Sequence, residues 1–242
     1  MCTVTFIPAK DKIFITSNRD EKLVRKSAIA PAVYKTGDHL LVFPKDGDAG
    51  GTWIGLKESG DAAVLLNGAF LPHIAELPYR KSRGLVFLDI LGAKHPSSQL
   101  IKADLDNIEP FSIVLFESNS LHEFRWDGYE RYCRQLSVNR PHIWSSATLY
   151  DGLVIKKREQ WFARFLSQHP NPTQKDILHF HKFTGDGDAA NDLMMNRDCV
   201  YSTVSITSML LTPDRGSMKY EDLVNHQYAE KKIEFITSTA SI

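Results

Sequence analysis

Strand-like segments in this chain come as close pairs, with long amphipathic stretches set in separate blocks between them. Residues 3–7 (TVTFI) and 12–17 (KIFITS) are β-branched and aromatic, and Pro8-Ala9-Lys10-Asp11 supplies a turn between them. The same grammar recurs at Thr52–Lys57 and Ala62–Leu66, and again at Phe111–Glu117 and Leu121–Trp126. Single strands are expected at Ala32–Lys35, Leu40–Phe43, His142–Trp144, Val200–Leu211 and Ile233–Thr237, with loops at Lys22–Pro31 and Asp46–Gly51. Helices are expected at Ser82–Gly92, Asp151–Gln168 and Thr173–Lys182, the last capped by Thr173. In the long helix Val154, Trp161, Phe162 and Phe165 read as the buried side, and Lys156, Lys157, Arg158 and Glu159 as a solvated one. The alternation of Leu121, Glu123 and Arg125 against His122, Phe124 and Trp126 suggests one wet face. Strands and helices in blocks, not in βαβ alternation, argue for an α+β fold of antiparallel sheets with helices packed outside. No repeat or linker interrupts the chain, so residues 1–242 are expected to form one domain.

Charge and cysteine usage narrow the function classes. Lys plus Arg and Asp plus Glu are equal at 29 each among 242 residues. A neutral balance argues against nucleic acid or an anionic membrane as the main partner. No apolar run approaches the ~20 residues of a membrane span, and the start lacks the basic and apolar regions of a signal peptide. Cys2, Cys133 and Cys199 show no CxxC spacing, so neither a disulfide framework nor a metal site is expected. A reducing cytoplasm fits. Cys133 and Cys199 read as small core residues, and His179 and His181 are two apart, which does not place them on one helical face. No metal and no cofactor is assigned.

The chemistry-bearing feature is the first residue pair. Once Met1 is removed, Cys2 carries a thiol and the chain's α-amine on one carbon, with reference pKa values of about 8.5 and 7.7–8.0. The amine can therefore be neutral near pH 7 and take the thiol proton. Polar residues at the end of the second strand, Asn18, Arg19 and Asp20, fall opposite the start of the first. Alternation puts Asn18 and Asp20 on one face and Arg19 on the other. The same residues also fit a frayed terminus and a charged strand exit. Likewise Asn67, at the end of its strand before Gly68, fits either an aimed carboxamide or a turn dipeptide.

The opening Met-Cys hairpin, Ser17-Asn18-Arg19-Asp20-Glu21, Gly50-Gly51-Thr52-Trp53-Ile54-Gly55 and Leu65-Leu66-Asn67 together resemble the NRDE family, the transport and Golgi organization protein 2 type. That family is regarded as related to N-terminal-nucleophile hydrolases with an N-terminal Cys, such as the choloylglycine and penicillin V acylases. The resemblance implies a four-layer αββα sandwich and an amidohydrolase acting on a non-peptide C–N bond. It further implies Cys2 as nucleophile and base, Asp20 holding the amine, Arg19 keeping the local field positive, and Asn67 donating to the oxyanion. Asn18, Trp53 and Ser146 are the substrate-contact candidates. The second reading is a non-catalytic protein of the same fold that binds or transfers a small apolar ligand such as a lipid, acyl-CoA or haem. Two departures stand out: Ser146 occupies a position where relatives usually carry Asn, and the late strand has no Arg, although Arg197 lies just upstream.

Overall fold

The structure, a computed structural model, describes residues 3–236. The chain opens with β1 (Thr3–Ala9), β2 (Lys12–Lys22), β3 (Ile29–Thr36), β4 (His39–Lys45), β5 (Ile54–Lys57) and β6 (Ala62–Asn67). Helices α1 (Arg83–Leu91) and α2 (Pro96–Lys102) follow. Next come β7 (Phe111–Glu117), β8 (Ser120–Trp126), β9 (Arg131–Leu136) and β10 (His142–Ser145). After α3 (Gly152–Gln168) and α4 (Gln174–Phe183), the chain ends in β11 (Asn196–Arg197), β12 (Tyr201–Leu211), β13 (Arg215–Asp222) and β14 (Gln227–Glu234).

These strands form two antiparallel sheets. One runs β10-β1-β2-β12-β13-β14, with β11 added beside β12; the other runs β3-β4-β5-β6-β7-β8-β9. Alternation along β1 explains the layering. Val4 and Phe6 join a core shared with Leu41, Leu56, Met209 and Met218 between the sheets. Ile7 and Phe14 instead meet Phe162, Phe165, Ile177 and Phe180 from α3 and α4. On the far side, Val86, Phe87 and Ile90 of α1 pack on the second sheet. The expected α+β sandwich of four layers, αββα, is the observed architecture.

The GGTWIG stretch is a close-packing device. A Cβ on Gly51 would lie 2.4 Å from the backbone C of Gly84, so only glycine lets the β4–β5 connection touch the first turn of α1. Gly51→Ala should therefore destabilise the chain by about 1–3 kcal/mol, read as a lower urea midpoint at unchanged m. The N-caps match the sequence: Thr173 and Asp176 form a capping box on α4, and Asp151 caps α3.

Several expectations fail for identifiable reasons. The NRDE segment continues β2 to Lys22, paired with β12; of the expected loop Lys22–Pro31, residues 23–28 lie outside strands and Ile29 already opens β3. Helix α2, with Pro96 at its start, and strands β9 and β13 were not foreseen. The final strand is β14, ending at Glu234, and residue 237 of the expected one lies outside the described residues. Strand β8 has no wet face, because its sheet sits between α1–α2 and the other sheet. Glu123 is buried and bound by Arg125, Arg134 and the Trp144 indole N–H. Cys133 and Cys199 are exposed, not core, since one sits on the edge strand β9 and the other in the turn before β12. Arg158 is fully buried, and this correction bears on the site.

Candidate active site at the head of β1 and β2

Thr3, at the head of β1, pairs with Asn18 on β2 and with Ser145 on β10. Cys2 itself lies outside the described residues. Antiparallel pairing sends Thr3, Thr5, Asn18 and Asp20 toward α3 and α4, and Arg19 toward the space between the sheets. The β2–β12 register slips at Val204: Thr203 faces Asp20 while Ser205 faces Arg19. A bulge at this level re-aims side chains around the motif.

On the helix side, Asp20 is buried and its two oxygens are separately held. Tyr150 donates its hydroxyl to Oδ2 at 2.7 Å, and Thr203 donates to Oδ1 at 2.5 Å. The Tyr150 ring is approached by two guanidinium groups, Arg158 at 3.6 Å and Arg197 at 5.2 Å. Arg158 donates to Thr3 Oγ1 at 2.6 Å and to the carbonyls of Asn191 and Asp192. Arg197, upstream of the late strand, donates to the carbonyl of Leu149, the residue before Tyr150.

Asn18 completes this buried layer. Its Nδ2 donates to the carbonyls of Leu193 and His181, at 2.6 and 3.2 Å, which fixes the amide orientation because carbonyls only accept. Oδ1 then faces His181 Nδ1 at 2.6 Å, so that nitrogen carries the proton and Nε2 accepts from Thr5 Oγ1 at 2.8 Å. Asn18 is thus a tie between β2 and α4, in place of the substrate contact expected of it, since every polar atom of its side chain is engaged and buried. Burial first, and the Arg158 cation second, push His181 from 6.5 down to about 3. The sign follows: a folded state that refuses the proton keeps this stability above pH 6.5 and loses it as pH falls toward 3. Urea midpoints of His181→Gln, measured across that window, should fall less steeply with acid than those of the parent.

On the inter-sheet side, Arg19 lies 4.4 Å over the Trp53 ring and pairs with Asp46 at 2.5 Å. Asp46 also binds Arg25 at 2.8 Å. Burial alone would raise the Asp46 carboxyl, but the Ala49 N–H and the Arg19 and Arg25 cations hold it below the usual range. The charge on Arg19 is therefore offset locally, which changes the positive field expected of it. A cavity of about 490 Å³ opens here, with Arg19, Trp53, Leu65, Asn67 and Arg83 among its walls. Asn67 ends β6, and its backbone carbonyl accepts from Ser146 Oγ at 2.9 Å. Ser146 also bonds Thr148 Oγ1, so its hydroxyl ties the two sheet ends together. Gly68, at φ +77°, turns the chain tightly against Thr148.

The structure therefore brings Arg19, Trp53 and Asn67 to one cavity, with Asp20 on the opposite face of β2. Sequence reasoning missed Tyr150, Arg158, Thr203, His181 and Asp46. For two of these a signal existed. Arg158 is four and seven residues before Phe162 and Phe165, and His181 is four after Ile177, so both sit in apolar helical stripes. Among the described residues no group of three His, Cys, Asp or Glu side chains could hold a metal ion, and no helix is long and apolar enough to cross a membrane.

Comparison with solved structures gives the fold. The N-acylethanolamine-hydrolyzing acid amidase ortholog of Caenorhabditis elegans superposes with a TM-score of 0.59 at 12% identity, covering 86% of this chain and 92% of that one. Two variants of conjugated bile acid hydrolase from Clostridium perfringens give 0.53 and 0.56 at 12% and 13% identity, with coverage of 97% or more of each chain. The fold is that of the N-terminal-nucleophile hydrolases. A search of curated proteins found no match. Residues 1–213 match the family described as Transport and Golgi organisation 2, and the chain belongs to that family.

Proposed function

We propose that this protein is an N-terminal-cysteine amidohydrolase that cleaves a non-peptide C–N bond of a small molecule. The observation that carries the reading is the buried Asp20 carboxylate, fixed by Tyr150 and Thr203, at the head of the strand pair that directly follows Cys2. Cys2 immediately precedes Thr3 in the chain, which supports this corner as the nucleophile's. Cys2 Sγ attacks the amide carbonyl while the α-amine takes the thiol proton. The negative oxygen that forms accepts a hydrogen bond from the Asn67 carboxamide, a donor typically worth about 3–4 kcal/mol. Collapse breaks the C–N bond, and the ammonium returns its proton to the departing amine. Water, deprotonated by the same amine, then adds to the thioester and releases the acid and the free thiol.

Asp20 orients the amine, and Tyr150, Thr203 and Arg158 orient Asp20. Arg19, neutralised by Asp46 and stacked on Trp53, forms a rigid cavity wall. Exposed, unpaired Cys133 and Cys199 are consistent with a reducing cytoplasm. Carriage of an apolar ligand fits less well, because the walls include Arg19, Arg25, Lys81 and Arg83 together with Glu21, Asp46 and Glu109. An apolar occupant would strip water from these charges without replacing it. The test is iodoacetamide labelling of Cys2 against pH, read by peptide mass spectrometry, after intact mass has established removal of Met1. A labelling midpoint well below 8 is expected. A Cys2 profile matching those of Cys133 and Cys199 would count against a nucleophile.

A further inference from the structure

The cavity walls carry both signs of charge. Arg83, the first residue of α1, has Nη2 at 3.1 Å from Glu109 Oε2 and donates Nη1 to the Pro110 carbonyl at 3.2 Å. Its side chain is only 17% exposed, and loss of solvent is the main influence on it, lowering its pKa against the opposing pull of Glu109 and then Glu21. Across the cavity, Arg25 Nε lies 3.7 Å from Glu21 Oε2, and both are partly open to solvent. Arg25 Nε is also buried without a hydrogen-bond partner among the described residues. Arg83 feels both Glu21 and Arg25, so these pairs face into a single space.

Three kinds of occupant fit this space badly. An apolar chain strips water from these charged pairs and offers them no polar contact in return. A polyanion meets four lining cations already opposed by three carboxylates. A neutral polar amide satisfies neither sign. A ligand with one carboxylate and one ammonium offers a charge-assisted partner to each, and 490 Å³ lies within the usual range for a small-molecule site.

Resting on the amidohydrolase reading, we propose that the substrate is a zwitterionic amide of amino-acid type, its carboxylate held by Arg83 and Arg25 and its ammonium by Glu109 and Glu21. The hydrolysable amide then projects toward Asn67 on the same cavity wall.

Isothermal titration of the full chain, as wild type and as Cys2→Ala, tests this with four probes: L-glutamine, N-acetyl-L-glutamine, L-glutamine amide and a neutral fatty-acid ethanolamide. Glutamine should bind, and removal of either charge should weaken binding about tenfold or more. Arg83→Met should weaken glutamine and N-acetylglutamine together, whereas Glu109→Gln should weaken glutamine relative to N-acetylglutamine. No glutamine binding up to its solubility overturns the proposal. So does equal or tighter binding of the ethanolamide, or two variants that weaken every probe equally. The probe series on unsubstituted protein stands even where a variant fails to fold. Retained turnover by Cys2→Ala would sink the mechanism while leaving this charge-dependent binding intact, so the two failures are distinguishable.

Discussion

Cys2→Ala should abolish amide turnover with no change in the urea midpoint, and Asp20→Asn should lower turnover by about 10²–10⁴-fold, the range for loss of a positioned acid–base group. The Cys2 substitution removes one sulfur atom and leaves the strand residues Val4 and Phe6, which form the core, unchanged. Asp20→Asn keeps shape and one acceptor, and the facing hydroxyls of Tyr150 and Thr203 can rotate to accept from the new amide. What disappears is a negative charge next to the base. A cationic amine is then less favoured, and a thiolate nearby is more favoured. The expected signature is a split: turnover collapses, while iodoacetamide labelling of Cys2 is undiminished and its pH midpoint moves down. Cys133 and Cys199, both exposed, serve as references in the same digest. Turnover that survives in either variant would remove Cys2 or Asp20 from the chemistry.

The sheets were legible in the sequence because hairpins are local. The β1–β2, β5–β6 and β7–β8 pairs each declare themselves by β-branched runs around short turns. β9 and β13 were not legible: β9 is an exposed edge in which Arg131 and Arg134 leave no apolar run, and β13 alternates polar residues with a few apolar ones such as Met218 and Tyr220. The candidate site was legible on its cavity side, where Arg19 lies near the end of β2, Trp53 borders β5 and Asn67 ends β6. It was not legible on the helix side. Thr203 reaches Asp20 across 183 residues, and Tyr150 across 130, through pairings that no local pattern encodes. The expectation that charged residues of α3 face water failed at Arg158 because helical phase puts it on the buried stripe of Phe162 and Phe165. Asp46 was read as a solvated turn because its partners, Arg19 and Arg25, approach only through tertiary packing.

Arg158→Met should lower the unfolding free energy by about 3 kcal/mol or more, the scale for stranding several buried acceptors at once. Arg158 is fully buried and holds Thr3 Oγ1 and the carbonyls of Asn191 and Asp192. Methionine fills most of the volume but offers none of these donors, and it gives up the contact with the Tyr150 ring at 3.6 Å. Arg158→Lys should fall between the two, because one ammonium cannot span carbonyls on two residues and a hydroxyl in the plane a guanidinium reaches. Lys156→Met, on the solvated side of α3, should change stability by no more than about 0.5 kcal/mol. Loss of the Arg158 cation also removes the second of the two influences that lower His181, so the variant's stability should fall less steeply between pH 6.5 and 3. Linked to the site through Tyr150, the same substitution should loosen Asp20 and cut turnover even at temperatures where the protein remains folded. A variant of Arg158 with parental stability would mean that the buried polar layer behind β1 and β2 carries no weight in the fold.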